Sequence, residues 1–312
     1  MDERDTVNSE LAVDAPISLI GLDWGSTHLR AFAMDSEGKI IDRVHSPHGA
    51  MTLSGPAAFD RALCNAVGDW HASAPQSTLI ASGMVGSVNG WSEARYVAVG
   101  ATAQTVARSL IAVDTSLGVL MHIVPGVKSD APDVMRGEET QIIGSGVTDG
   151  VIVLPGTHSK WARVSDAALF GFTTFFTGEL NALIRQHSAV GKAFDGAADL
   201  GDWSSIARGV ARARANGGHG RWLAELFAFR ASVVTQHRSA AQSSTEFGAW
   251  LIASEYIAAL AAYPTTKRIH LIASEKLAAW YIAIAAAFDV ECVVLDGEQC
   301  AARGLWDISR YV

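Results

Sequence analysis

Two segments of this chain share one plan. Leu19-Ile20-Gly21-Leu22-Asp23-Trp24-Gly25-Ser26-Thr27 and Val151-Ile152-Val153-Leu154-Pro155-Gly156-Thr157-His158-Ser159-Lys160 each run an apolar strand into a small turn that carries hydroxyls. From Asp23 to Gly156 is 133 residues. A strand that ends in glycine and Ser or Thr can bring bare backbone and hydroxyl donors close to an oxyanion. One such junction is an ordinary turn. Two, in one order and so far apart, point to two related half-folds and suit a two-point grip on a polyphosphate. The candidate phosphate contacts are Gly25, Ser26 and Thr27 from the first turn, and Gly156, Thr157, His158, Ser159 and Lys160 from the second.

The flanking pattern extends the repeat. The first half predicts strands over 17–23, 29–34 and 39–44, then a helix from Pro56 with Phe59, Leu63, Ala66, Val67 and Trp70 on one face. A buried strand over 78–82 leads into a glycine-rich loop, Gly83 to Trp91. Residues 121–124 read as a strand, 125–132 as a loop and 133–143 as a helix. The second half predicts strands over 150–154, 161–164 and 168–173, then mostly helix from Trp222. It ends in a strand over 268–272, a helix over 275–288, a strand over 290–295 and a helix over 299–306. This is α/β logic with mixed sheets. At 312 residues the chain has about twice a single-domain length. The expected division is a flexible tail over 1–16, domain I over 17–125 and domain II over 126–312, with a cleft between the domains and the last helix placed to pack back on domain I. Parallel strands joined by a helix open a crevice at their carboxyl ends, which makes Ala273-Ser274 a candidate shelf for a nucleotide base.

Composition removes other classes. The formal charge is -8, from 24 basic and 32 acidic residues without a Lys/Arg run, so no nucleic-acid partner is expected. Cys64, Cys292 and Cys300 lie far apart without metal-binding spacing and read as reduced, buried thiols. The first residues lack a signal-peptide pattern, and the longest uncharged apolar stretch, 277–288, is too short to span a bilayer. A soluble cytoplasmic protein without a membrane partner is expected. No GxxxxGK[ST] occurs, and Gly144-Ser145-Gly146 lacks the spacing of a hydrolase elbow. His45 and His48 read as loop histidines.

The acidic residues suggest the chemistry. Asp23, at a strand end between glycines, suits a hydrated magnesium ion, which takes few protein carboxylates. Phosphoryl transfer to a hydroxyl also wants a carboxylate to take the proton. Asp133, after Pro132, is the candidate base, with Asp130 and Glu138 as rivals. Lys160, Arg30 and Arg136 are available to balance phosphate charge or to bind a substrate carboxylate.

Taken in order, these features resemble the superfamily of actin, sugar kinases and heat-shock ATPases. Within it the chain resembles the 2-dehydro-3-deoxygalactonokinase family. Five stretches carry the likeness: Asp23 to Thr27; Gly83-Met84-Val85-Gly86-Ser87 with Gly90-Trp91; Met135-Arg136-Gly137-Glu138-Glu139-Thr140-Gln141; Pro155 to Trp161; and Thr177-Gly178-Glu179-Leu180. The resemblance implies two ribonuclease H-like, actin-like ATPase domains with a nucleotide cleft between them, and Mg2+ with ATP. It implies transfer of a phosphoryl group to O6 of 2-dehydro-3-deoxygalactonate. In this scheme Asp23 orients hydrated magnesium, Asp133 takes the proton, and Ala273 and Ser274 meet adenine. Gly83, Met84, Ser87, Trp91, Arg136 and Glu138 contact the sugar acid, with an arginine such as Arg30 for its carboxylate. Val88 and Arg95 stand where the family pattern has a basic residue and a proline. A kinase of the same fold for another sugar, or a nucleotide-dependent sensor, are the alternatives. The sugar acid and ATP are the expected partners, and a homodimer is compatible with the sequence.

Overall fold

The structure, a computed structural model, describes residues 16–194, 198–216 and 221–312. It forms two compact units, one of residues up to Gly146 together with Glu298–Val312, the other of Val147–Gly297. The first unit opens with β1 (Leu19–Trp24), β2 (Leu29–Met34) and β3 (Ile40–Ser46), then α1 (Pro56–Ser73) and β4 (Thr78–Gly83). There follow β5 (Val97–Ala98), α2 (Ala103–Ala107), β6 (Ile111–Asp114), β7 (Leu120–Ile123), β8 (Val127–Lys128), β9 (Val134–Met135) and α3 (Glu138–Gly144). The main sheet has the order β3-β2-β1-β4-β7-β6. Strand β1 is antiparallel to β2 and parallel to β4, and β4 is parallel to β7. Flanked on both edges, β1 is buried along its whole length, which is why it reads as a nearly continuous apolar run.

The second unit repeats this plan with β10 (Gly150–Leu154), β11 (Ser159–Ser165) and β12 (Ala168–Phe175). Four helices follow: α4 (Thr177–His187), α5 (Trp203–Asn216), α6 (Trp222–Val234) and α7 (Ala240–Ala262). The unit continues with β13 (Arg268–Ile272), α8 (Glu275–Ala286) and β14 (Glu291–Leu295); α9 (Gly297–Ser309) ends in the first unit. The sheet order is β12-β11-β10-β13-β14, with β10 antiparallel to β11 and parallel to β13. Each unit thus sets an antiparallel meander beside parallel strands reached through helices, the two related α/β half-folds that the paired loops predict.

Local signals explain the elements. Gly55 at φ 73° and Pro56 in the first turn start α1, whose Phe59, Leu63 and Val67 are buried at four-residue spacing. A capping box between Ser239 and Gln242 starts α7. Phe247, Trp250 and Tyr256 of α7 are wholly buried in the second core. Each such aromatic contributes roughly 2–3 kcal/mol by leaving water. In the first unit, α3 and α9 touch backbone to backbone. A Cβ on Gly144 would stand 2.0 Å from Cys300 O, and one on Gly304 1.9 Å from Thr140 O.

Several boundaries differ from the sequence reading. The helix expected from Asp133 starts at Glu138, because β9 pairs with β8 inside the expected loop and Gly137 turns the chain at φ 102°. Strand β11 starts at Ser159, so Ser159 and Lys160 belong to the strand, with Lys160 across from Leu154 and Thr174. His45 lies on β3, 3.4 Å from Glu298. Cys300 is buried, whereas Cys64 and Cys292 are half-buried. Except for Pro16, the expected tail lies outside the described residues. Among the described residues no helix is long and apolar enough to cross a membrane.

Candidate functional site

In the first unit, Asp23 stands near the end of β1, across from Arg30 on β2 and Ser82 on β4. Arg30 Nη2 donates to Asp23 Oδ2 within an ion pair. Asp23 is only 7% exposed. Burial pushes its carboxyl above the usual range, Arg30 pulls it back, and Glu298 adds to the upward push. The following turn is held by its backbone. Ala50 N–H donates to Gly25 O at 2.9 Å, Met51 N–H to Ser26 O at 2.9 Å, and Gly49 N–H to Thr27 O at 3.2 Å. Gly49 permits this approach, since a Cβ there would lie 2.2 Å from Thr27 C. Ser26 is half-buried and Thr27 exposed. The Thr27 hydroxyl shares a 2.9 Å hydrogen bond with His28 Nδ1.

Glycines bring three segments of this unit together. Gly83, at φ 90°, ends β4 so close to Trp24 that a Cβ would stand 2.6 Å from Trp24 O. A Cβ on Gly137 would stand 3.2 Å from Gly83 Cα. Glu138 Oε2 accepts from Arg136 N–H at 2.9 Å. Arg136 Nη2 donates to Ala94 O at 2.7 Å, and its guanidinium lies 4.4 Å from the Tyr96 ring centre. Arg136 Nε and Nη1 are buried and meet no hydrogen-bond partner among the described residues. Met84 and Ser87 are half-buried in the glycine loop. Trp91 is half-buried, its ring edge-on to Trp24 at 6.3 Å and 6.2 Å from Phe59.

The structure separates the candidate bases. Asp130 is exposed. Asp133 is half-buried ahead of β9 and accepts from Val134 N–H at 2.8 Å. Glu138 is the first residue of α3, next to Gly137. Glu139, which sequence reasoning missed, is 1% exposed. Its Oε2 accepts from Gly137 N–H at 2.7 Å and its Oε1 from the Thr140 hydroxyl at 3.0 Å. Burial, reinforced by neighbouring Glu138, raises its carboxyl to about 7.

In the second unit the turn at 155–158 leaves Gly156, Thr157 and His158 exposed, while Ser159 and Lys160 are buried. His158 Nε2 donates to Glu179 Oε2 at 2.6 Å, and its ring stacks on Phe176 at 5.4 Å. Lys160 Nζ donates to Thr174 Oγ1 at 2.8 Å. Ser159 Oγ donates to buried Glu255. The N-terminus of α4 abuts the turn: Glu179 N–H donates to Thr157 O at 2.9 Å.

A cavity of about 400 Å³ opens beside the turn, lined among others by Gly156, Thr177, Gly178, Arg185, Ser274 and Trp280. Arg185 is fixed by Asn181 Oδ1 and Ser244 Oγ at 2.9 and 2.7 Å. The structure therefore joins Gly156 and Ser274 at one cavity, while Ala273 packs against the core. Sequence reasoning missed Arg185, Trp280 and Glu255. Glu255 had a signal: it is the sole charge among the apolar residues of α7 from Phe247 to Ala262.

The comparisons agree with one another. The chain matches the family described as 2-keto-3-deoxy-galactonokinase over residues 23–308. It is similar to the 2-dehydro-3-deoxygalactonokinase of Escherichia coli, 31% identical over 303 residues that cover 94% of this chain and 98% of that one. A Rhizobium meliloti protein provisionally given the same name is 30% identical over 307 residues, covering 92% and 97%. A crystal structure from Sinorhizobium meliloti, provisionally assigned the same activity, matches with a TM-score of 0.85 at 27% identity, covering 94% and 98%. The ligand-bound xylulose kinase of Lactobacillus acidophilus, at TM-score 0.51 and 12% identity over 94% and 88%, shares the fold alone. With a family match over nearly all of both units and relatives aligned almost end to end, the chain belongs to the 2-keto-3-deoxy-galactonokinase family.

Proposed function

We propose that this protein is a kinase that transfers the γ-phosphoryl group of MgATP to the 6-hydroxyl of 2-dehydro-3-deoxy-D-galactonate. The observation that carries the reading is the nearly full-length likeness to the E. coli enzyme of that name. The cavity beside Gly156 supports it, since its volume lies within the usual range for small-molecule pockets. Adenosine occupies this cavity, with Ser274 and Trp280 at its wall. Backbone amides at Gly156 and Thr157 take phosphate oxygens, and the turn of Gly25, Ser26 and Thr27 in the first unit suits phosphate oxygens as well. Ser159 and Lys160, both buried, brace the second turn from below.

Asp23 suits a hydrated magnesium ion. It is one carboxylate, and among the described residues no group of three His, Cys, Asp or Glu could hold a metal directly. Magnesium would neutralise charge on the β- and γ-phosphates. Arg30 fixes the Asp23 carboxylate in position. The base is Glu138 rather than Asp133. Glu138 begins α3 beside Gly137, whose backbone abuts Gly83 at the end of β4, whereas Asp133 is set apart by β9. Glu138 takes the hydroxyl proton as O6 forms its bond to phosphorus and the β–γ bridging oxygen leaves with ADP. The acceptor lies against the Gly83–Trp91 loop and the Arg136–Glu138 turn, where Arg136 braces the loop. An ADP-release assay across 2-keto-3-deoxy acids, aldonic acids and neutral hexoses tests the reading. Turnover is expected on the 2-keto-3-deoxy acid; preference for a neutral hexose, or equal ATP hydrolysis without any acceptor, sinks it.

A further inference from the structure

A buried carboxylate lies directly behind the second turn. Glu255, on α7, is 3% exposed. Its Oε1 accepts from Ser159 Oγ at 2.7 Å, from Trp161 Nε1 at 2.7 Å and from the Tyr281 hydroxyl at 2.9 Å. Its Oε2 accepts from the Thr177 hydroxyl and, at 2.9 Å, from the Tyr281 hydroxyl. The four donors come from three places: β11, the first residue of α4, and α8. Thr177 and Tyr281 line the cavity themselves, and Ser159 directly follows the turn that carries Gly156.

The residue types fit one function. Only a carboxylate offers so many acceptor sites without bringing a hydrogen of its own. A carboxylate in the apolar middle of a helix is costly unless such donors meet it. The Ser and Trp of the Pro155-to-Trp161 stretch thereby gain a reason: both donate to Glu255. Thr177 matters for the same geometry. Gly178, next in the chain, lets α4 press against Gly156 and Thr157, so the bond from Thr177 fixes where that helix begins.

We propose that Glu255 is the positioning residue of the nucleotide cavity, holding β11, α4 and α8 in register through Ser159, Trp161, Thr177 and Tyr281. This rests on reading the cavity as the ATP site. Glu255 touches no substrate. It keeps the turn at Gly156, the α4 terminus and the α8 wall at the spacing that adenosine and the phosphates need, so its loss is felt in ATP binding before sugar-acid binding.

The test compares steady-state kinetics of four variants in the full chain, each checked for folding by thermal melting. Gly248→Leu is the control for the cavity itself. A Cβ at Gly248 meets nothing closer than 3.7 Å, so the added side chain enters the cavity and should raise the ATP KM at least tenfold. Glu255→Gln puts an NH2 against donors and should raise the ATP KM at least tenfold while the sugar-acid KM stays within twofold. Thr177→Val and Ser159→Ala, which each remove one donor, should raise the ATP KM threefold or more, again without moving the sugar-acid KM. If Gly248→Leu leaves the ATP KM unchanged, the cavity is not the ATP site and the reading beneath the proposal fails. If Gly248→Leu raises it while Glu255→Gln and Thr177→Val stay within twofold of wild type, the positioning role is overturned. If Glu255→Gln does not fold, Thr177→Val and Ser159→Ala decide between the same two outcomes. A uniform rise in both KM values also overturns it, since that marks a general structural role.

Discussion

Gly178→Ala sets two effects of opposite sign against each other. Gly178 is the second residue of α4, where helix propensity alone favours Ala by up to about 1 kcal/mol. The packing opposes this. A Cβ at 178 would stand 2.0 Å from Gly156 O, 2.9 Å from Gly156 C and 3.0 Å from Thr157 Cα, all backbone atoms. Real Cβ contacts essentially never fall below 3.0 Å, so α4 or the turn must withdraw by at least about 1 Å. That movement breaks the 2.9 Å bond from Glu179 N–H to Thr157 O. Overpacking of this kind costs roughly 1–3 kcal/mol, which exceeds the propensity gain. A displacement of about 1 Å near reacting groups can cost on the order of 100-fold in rate. Gly178→Ala should therefore lower the melting temperature, and it should lower kcat/KM for ATP at least tenfold. Gly171→Ala, on β12 with no atom within 4 Å of its Cβ, is the control and should do neither. A Gly178→Ala protein as stable as wild type, with unchanged ATP kinetics, would refute the close approach of α4 to the turn.

Two further outcomes follow from the first unit. Glu139 has its carboxyl raised from 4.5 to about 7, so its contribution to stability is present below pH 4.5 and is lost as pH rises through about 7. By linkage the full change is ~3 kcal/mol, so denaturant melts should show wild type losing stability between pH 5 and 8 relative to Glu139→Gln; parallel profiles would contradict this. Glu138→Gln should lower kcat by roughly 100-fold or more with a nearly unchanged acceptor KM, whereas Asp133→Asn should cost less than tenfold. The reverse order returns the base to Asp133.

The central strands were legible because β1, β4 and β10 are buried almost throughout and read as apolar runs, and β2 and β10 fall on the ranges that the sequence predicts. Asp23 near the end of β1 and Gly156 in the turn after β10 were legible because each lies where an apolar run stops. What stayed hidden depends on contacts between distant positions. No local pattern says that the Ser159 hydroxyl is taken by a carboxylate 96 residues away, or that Lys160 is drawn into β11 by Thr174. Pro132 before Asp133 predicts a helix start there. The pairing of β9 with β8, which competes with that helix, involves two residues and leaves no periodic trace. The packing of Trp91 against Trp24 and Phe59, both more than thirty residues away, likewise leaves no local trace.

The activity proposed for this chain is phosphorylation of a 2-keto-3-deoxy sugar acid at its terminal hydroxyl. Incubating the purified protein with MgATP and 2-dehydro-3-deoxy-D-galactonate, and following the products by phosphorus and proton NMR, tests it most directly. One phosphate ester at C6 is expected for every ADP released, and no ADP without the acceptor. ATP consumption that yields inorganic phosphate, or a phosphate ester at another hydroxyl, would contradict it.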